Sequence, residues 1–346
     1  DLIIKGEYPY YNTILTFAKK IKNCTDIEEI PGATFIKDGK LVSNPILSEN
    51  SLDELVLGVY SKIPVKEYAE SFETLEGVDV KCIPIITGAG CPYSCIYCPY
   101  PVGYGRKIKY KSIKNIIREI QYLYNNYGIN GFIFRDQLFT QNKERVLELC
   151  NEIINKNLNI KWLIEARADQ VTKDLLQEMK KAGCFRIHFG VETGSPKLIN
   201  LGKPGASLEK YVKAFQACKE LKIFTVAHII VGLPGETEET IKDTINFLLY
   251  LNPDNININV LTPYPGTKLF EIALERGWIL TFDWSKYTSY DVVMRTNELD
   301  AKQIIKAKKE LKRKFRNYKL LNDSRYRSSF VKSLPRKIQN RLLRKL

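Results

Sequence analysis

From Ser112 to Gly277 the chain alternates short runs of β-branched and aromatic residues with longer stretches whose apolar positions recur every three or four residues. Short runs of the first kind read as buried strands and the longer stretches as amphipathic helices, and their alternation is the pattern of βαβ units around a parallel sheet. The predicted strands are 82–87, 131–134, 160–164, 185–189, 224–231 and 255–260. Between them the spacing predicts helices over 113–126, 143–157, 172–181, 208–221 and 236–251, several closed by the stop signals Gly128, Gly183 and Pro253. Six strands in this alternation predict an α/β fold, a (β/α)6 partial TIM barrel; an open doubly wound sheet shares the same local pattern. Either way, chemistry is expected on the loops that follow the C-terminal ends of the strands.

The flanks read differently. Residues 1–6 resemble the last strand of a preceding α/β unit, 12–22 a helix, and 33–44, with Asp38-Gly39 at its turn, a β-hairpin. The last fifty residues carry no strand pattern and read as basic helices broken at Pro335. The expected organisation is therefore a truncated N-terminal α/β segment (1–80), a barrel (81–280) and a basic helical C-terminal extension (281–346).

Composition narrows the class. With 44% hydrophobic and 27% charged residues the chain is an ordinary globular protein. No apolar run approaches the roughly 18–20 residues of a membrane-spanning helix. Asp1 rather than Met stands first and no signal peptide follows, so a cropped or processed chain in the cytoplasm is expected. The net charge of +14 is concentrated: residues 301–346 hold 17 Lys and Arg against 2 Asp and Glu, while the remainder holds 36 against 37. In a chain of this size and setting the eight cysteines are expected as reduced thiols.

Three of them stand together. Gly88-Ala89-Gly90-Cys91-Pro92-Tyr93-Ser94-Cys95-Ile96-Tyr97-Cys98 directly follows the first predicted strand. Cys-x3-Cys-x2-Cys supplies three thiolates from one loop, enough for three irons of a [4Fe–4S] cubane, and leaves the fourth iron open. A zinc site would want a fourth ligand, and the only histidines, His188 and His228, belong to distant strands. Cys24, Cys82, Cys150, Cys184 and Cys218 sit singly in helix or strand patterns and are expected to pack. Tyr93, Tyr100, Tyr104, Arg106 and Tyr110 cluster around and after the cysteines and are read as ordinary packing. No Gly-x-Gly-x-x-Gly opens a helix after a strand, which disfavours a dinucleotide fold.

The cysteine loop, with Tyr97 as the aromatic before its last cysteine, resembles that of the radical S-adenosylmethionine (SAM) superfamily, and the resemblance extends over residues 82–265. It implies that Cys91, Cys95 and Cys98 hold a [4Fe–4S] cluster, and that SAM chelates the open iron and is cleaved to a 5′-deoxyadenosyl radical. It also implies a SAM site made by Tyr97 and by residues at successive strand ends: Asp136 after the second, Glu165 and Arg167 after the third, and Glu192 in Gly190-Val191-Glu192-Thr193-Gly194-Ser195 after the fourth. Gly232 in Gly232-Leu233-Pro234-Gly235-Glu236 and Pro263 in Thr262-Pro263-Tyr264-Pro265-Gly266-Thr267 follow the fifth and sixth. Each has a structural alternative: Asp136 as a helix cap, Glu192 and Arg167 as an interior ion pair, Gly232–Gly235 as a turn before a helix begun by Glu236.

The 190–195 segment and the first eighty residues resemble the cobalamin-dependent branch, which implies cobalamin as a further cofactor and methylation of an unactivated carbon, with a lipid-like compound among the substrates. The Asp-x-His-x-x-Gly signature of that branch is absent here. Alternatives are a methylthiotransferase-like RNA-modifying enzyme and a non-catalytic iron–sulfur or zinc protein. Partners implied are SAM, a substrate and an electron donor such as flavodoxin or ferredoxin. In the tail, Leu334, Ile338, Leu342 and Leu346 form one stripe among Arg336, Lys337, Arg341, Arg344 and Lys345. That pattern fits an interfacial helix on an anionic membrane, a helix packed on the barrel or, less well, a nucleic-acid contact.

Overall fold

The computed structural model describes residues 2–4, 11–23, 28–45, 52–53, 57–77, 79–203 and 205–333. Strand β1 (Leu2–Ile4), helix α1 (Tyr11–Lys22), β2 (Ala33–Lys37) and β3 (Lys40–Ser43) open the chain. Asp38 and Gly39 take φ of 51° and 73°, the left-handed backbone that a two-residue hairpin turn requires. The hairpin is as the sequence predicts, and β1 pairs antiparallel with β2 to complete a small three-stranded sheet.

Next come β4 (Glu70–Glu73), β5 (Asp79–Ile85) and the short strands β6 (Gly88–Ala89) and β7 (Lys109–Tyr110), with α2 (Tyr100–Tyr104) between these two. Five helix–strand units follow: α3 (Ile113–Tyr127) and β8 (Gly131–Phe134), α4 (Lys143–Asn155) and β9 (Lys161–Ala166), α5 (Lys173–Lys181) and β10 (Cys184–Glu192), α6 (Ile199–Gly202) with α7 (Leu208–Glu220) and β11 (Phe224–Val231), then α8 (Glu238–Leu251) and β12 (Asn255–Val260). Helices α9 (Lys268–Glu275), α10 (Ala301–Asn322) and α11 (Ser324–Ser333) complete the described chain.

The main sheet has the order β12-β11-β10-β9-β8-β5-β4. Its six parallel strands each lie beside the preceding one in sequence, so the order never reverses. Right-handed crossovers of constant direction put the connecting helices on one face and curl the sheet into a partial barrel; a doubly wound sheet needs a reversal and is excluded. Strand β4 adds antiparallel to β5. Glu-Ser-Phe-Glu offers only Phe72 as an apolar residue, so periodicity could not reveal it, and the sheet reaches into the N-terminal segment expected to precede the barrel.

Helix starts follow local chemistry. Ser112, Asn142, Thr172 and Thr267 each accept a hydrogen bond from the backbone N–H three residues on, satisfying a donor that the first turn cannot. Thr237 and Asp300 close full capping boxes. Thr237 thus starts α8, and Glu236, expected to begin that helix, lies outside it.

Strand alternation sorts the side chains. Ile187, Phe189 and Val191 of β10, and Ala227, Ile229 and Val231 of β11, join the large core beneath the helices. Phe189 meets Phe215 of α7 with ring centroids 5.0 Å apart. The alternate residues face the barrel interior. Its floor is apolar, from Cys82, Ile133, Leu163 and Phe185 with Phe72 and Val80 packed against them. Above the floor the inward set turns polar: Glu165, Arg186, His188 and His228. In α10 a stripe of Ile304, Ala307, Leu311 and Phe315 is buried against α8 and the last two strands, and Lys319, buried with it, bonds to Asn252 and Asp323.

Candidate active site

At the C-terminal mouth of the barrel the cysteine loop leaves β5 and is fastened on three sides. Asp136, fully buried after β8, accepts hydrogen bonds from the Thr87 N–H at 2.7 Å and the Thr87 hydroxyl at 2.6 Å. Burial pushes its carboxyl pKa upward, opposed by those hydrogen bonds. Gln137 accepts from the Gly90 N–H at 3.0 Å, and the Arg145 guanidinium donates to the carbonyls of Thr87 and Lys111. On the far side the Leu269 N–H of α9 donates to the Ile96 carbonyl at 2.9 Å.

So anchored, the loop turns Cys91, Cys95 and Cys98 into one cavity of about 150 Å³, which they line with Tyr97, Glu165, Arg167 and Glu192. Burial raises the pKa of all three thiols, that of Cys98 to about 12. A thiolate here therefore needs a counter-cation, which iron would supply. Among the described residues no three Cys, His, Asp or Glu side chains converge on a single ion. Three thiols from one loop suit a cubane, whose ligands go to separate iron corners.

Charges ring the cavity in pairs. Arg167 lies 3.9 Å above the Tyr93 ring and is held by Asp169 through two hydrogen bonds of 2.9 and 2.8 Å. Burial works to lower the Arg167 pKa and Asp169 outweighs it, so the guanidinium is a firm cation. Glu192 adopts φ of 66°, uncommon for a residue with a side chain, and its carboxylate meets Lys203 at 3.2 Å. Lys203 also donates to the Gly190 carbonyl, as does the Tyr211 hydroxyl at 2.8 Å. The expected alternative of a Glu192–Arg167 pair is not realised: each has its own partner. Glu165 reaches Arg135 at 3.4 Å.

Of the seven residues implied for SAM, four line the cavity and three do not. Tyr97, Glu165, Arg167 and Glu192 line it. Asp136 is spent on the loop backbone rather than on a helix cap. Gly232, with φ of 96°, donates its N–H to Glu236 at 2.6 Å. Pro263 stands outside the lining. The loops bearing Gly232 and Pro263 reach the site through Leu233 and Leu261, which pack with Tyr97. Lining residues that the sequence did not single out are Gln137, Leu138, Ala166, Gly190 and Lys203; Tyr93 and Tyr100, read as packing, line it too. Cys82, Cys150, Cys184 and Cys218 are buried and single, as expected, and Cys24 lies outside the described residues.

Residues 85–248 match the radical SAM superfamily. The chain carries a radical SAM domain over those residues. An uncharacterised methyltransferase of Pyrococcus horikoshii is 29% identical over 308 residues, covering 88% of this chain and 65% of that protein. The anaerobic magnesium-protoporphyrin IX monomethyl ester cyclase of Cereibacter sphaeroides is 29% identical over 314 residues, covering 88% and 49%. Among solved structures, the cobalamin-dependent SAM radical enzyme OxsB aligns with TM-score 0.70 and 16% identity over 99% of this chain and 54% of that one. The SAM methyltransferase TsrM of Kitasatospora setae aligns with TM-score 0.65 and 19% identity over 82% and 55%. The chain spans about half to two-thirds of the length of these relatives. At such identities the structural matches establish the fold: a radical SAM partial barrel.

Proposed function

We propose that this chain is a radical SAM enzyme that cleaves SAM reductively and uses the radical to modify, by methyl transfer, a substrate admitted to the barrel. The observation that carries the reading is the convergence of Cys91, Cys95 and Cys98 with Glu165, Arg167, Glu192 and Lys203 on one cavity. When bound there, a [4Fe–4S] cluster supplies the electron that splits SAM into methionine and a 5′-deoxyadenosyl radical.

The protein's own work is positioning. The three thiols hold the cluster and leave one iron for SAM. Glu165 and Glu192 suit the ammonium and sulfonium charges of SAM, Arg167 suits its carboxylate, and Tyr97 offers an aromatic face. The fastened loop and the buried ion pairs keep these groups still and exclude water. Methyl transfer is supported by the P. horikoshii relative and by TsrM, both named methyltransferases. Cobalamin is bound in both structural neighbours. This chain carries no Asp-x-His-x-x-Gly, and its two histidines are committed to each other inside the barrel. These two residues therefore do not offer a histidine ligand for cobalamin.

An external one-electron donor of the flavodoxin or ferredoxin class fits this chemistry, and the basic tail fits an anionic membrane surface. No described helix is long and apolar enough to cross a membrane. The reading is tested by anaerobic reconstitution and reduction with SAM. The wild-type chain should yield methionine and 5′-deoxyadenosine, and Cys95→Ala should lose both together with the visible iron–sulfur absorption. A full cluster that leaves SAM intact would overturn it.

A further inference from the structure

Below the cavity, on the inner face, β10 and β11 bring the chain's two histidines together. His188 Nδ1 lies 3.1 Å from His228 Nε2, with ring centroids 5.2 Å apart. Arg186, two residues before His188 on the same face, donates its Nε–H to His188 Nε2 at 2.9 Å. Arginine has no acceptor nitrogen, so the direction of that bond is fixed. His188 Nε2 then holds a lone pair, its proton lies on Nδ1, and it donates to His228 Nε2. His228 in turn carries its proton on Nδ1, which makes no hydrogen bond to any described residue.

Both rings are neutral. Burial pushes the His188 pKa down to about 2, helped by His228 and Arg186, and burial lowers that of His228 too. Arg186 stays cationic: burial lowers its pKa only to about 10. Among the described residues no carboxylate lies within ion-pair distance of Arg186; it rests on the Glu73 carbonyl and the faces of Phe72 and Phe224. A buried cation at one end, acted on by Asp254 and Glu73 only from beyond ion-pair distance, polarises the chain of donors toward the other.

This excludes two roles. The pair is no general base, because both Nε2 lone pairs are already used. Nor is it a proton relay, since a proton lost from His228 could be replaced only from His188, and His188 only from a guanidinium. What remains is donation. We infer that the Nδ1–H of His228, pre-set by Arg186 and His188, is a binding site for an oxygen acceptor of the substrate, a carboxylate, enolate or polarised carbonyl, held within the barrel. His228 is in register with Gly190, whose neighbourhood lines the cavity above, so the bound oxygen would lie beneath the SAM site. The inference rests on the barrel being the substrate chamber.

Its test needs neither SAM nor reductant, so a failed cleavage assay leaves it intact. With only two histidines in the chain, long-range 1H–15N correlation of the reconstituted, histidine-labelled full chain reads these rings alone. Near neutral pH both should be neutral with the proton on Nδ1; a charged ring, or a proton on His228 Nε2, would overturn the assignment. Acetate, as oxygen-acceptor probe, should shift the His228 Nδ1 signal, and methylammonium should not. No response to acetate, or an equal response to both, would overturn the binding site. Arg186→Met should release the lock and mix the tautomers; an unchanged single tautomer in a folded variant counts against the role of Arg186. Should that variant not fold, the wild-type spectrum still decides.

Discussion

Glu236 shows how a single buried group writes itself into the pH dependence of the whole fold. Its carboxyl lies in the turn after β11, accepting N–H groups of Gly232 and Leu233, and burial outweighs these bonds to raise its pKa from 4.5 to about 7. The folded state thus holds a proton that the unfolded chain has released, so stability is full below about 4.5 and falls as pH rises through about 7. The loss is about 3 kcal/mol at most. Glu236→Gln keeps an acceptor and removes the titration. The variant should be the more stable protein on the alkaline side and lose the slope; urea midpoints below and above this range check it, and an unaltered slope would refute the assignment. At this scale the sequence was only partly legible. The cysteines announce themselves by spacing because three ligands must come from one loop. Lys203 does not: it reaches Glu192 from an irregular segment where no periodicity operates, and only the folded chain shows it beside the cavity. The histidines, distant in sequence, become neighbours because adjacent parallel strands align Gly190 with His228.

Among the elements, the cysteine loop depends most on backbone shape. Gly90 has φ of 109°, and a Cβ there would fall 2.4 Å from the Lys107 carbonyl oxygen, a backbone atom that cannot give way. The close approach lets the chain entering Cys91 lie against the strand that leads back to the barrel, where the Cys91 N–H donates to the Gly105 carbonyl at 3.0 Å. Gly90→Ala must therefore push the two segments apart and displace the first cysteine. We expect a folded protein, with the far-ultraviolet circular dichroism of the wild type, that retains well under half of its reconstituted iron; full iron content would mean that the loop tolerates the shift. Elements with strong alternation were legible to within a few residues, β11 and β12 to the residue, since one face is covered by helices and the other lines the barrel. Strand β4 was not, being an edge with a single apolar side chain, and β1 took its partner from the hairpin that α1 brings beside it.

For the molecule as a whole, charge is the least evenly shared property. A barrel body near neutrality carries a C-terminal segment with 17 cations against 2 anions. Part of that segment is accounted for: α10 is a covering helix, buried through Ile304, Ala307, Leu311 and Phe315, and α11 follows it with Arg325 paired to Asp254. Neither needs a membrane. The stripe of Leu334, Ile338, Leu342 and Leu346 lies outside the described residues, and for it the packed and interfacial readings make opposite predictions. If it binds an anionic surface, its Arg336, Lys337, Arg341, Arg344 and Lys345 each contribute on the order of 1 kcal/mol at low salt. Removing 334–346 should then reduce partitioning onto phosphatidylserine vesicles by at least about a hundred-fold, and raising the salt should weaken binding of the intact chain in parallel. Sedimentation with vesicles measures both. A helix packed on the barrel would instead leave partitioning unchanged and lower the unfolding midpoint of the truncated chain, which would sink the membrane reading while leaving the SAM site untouched.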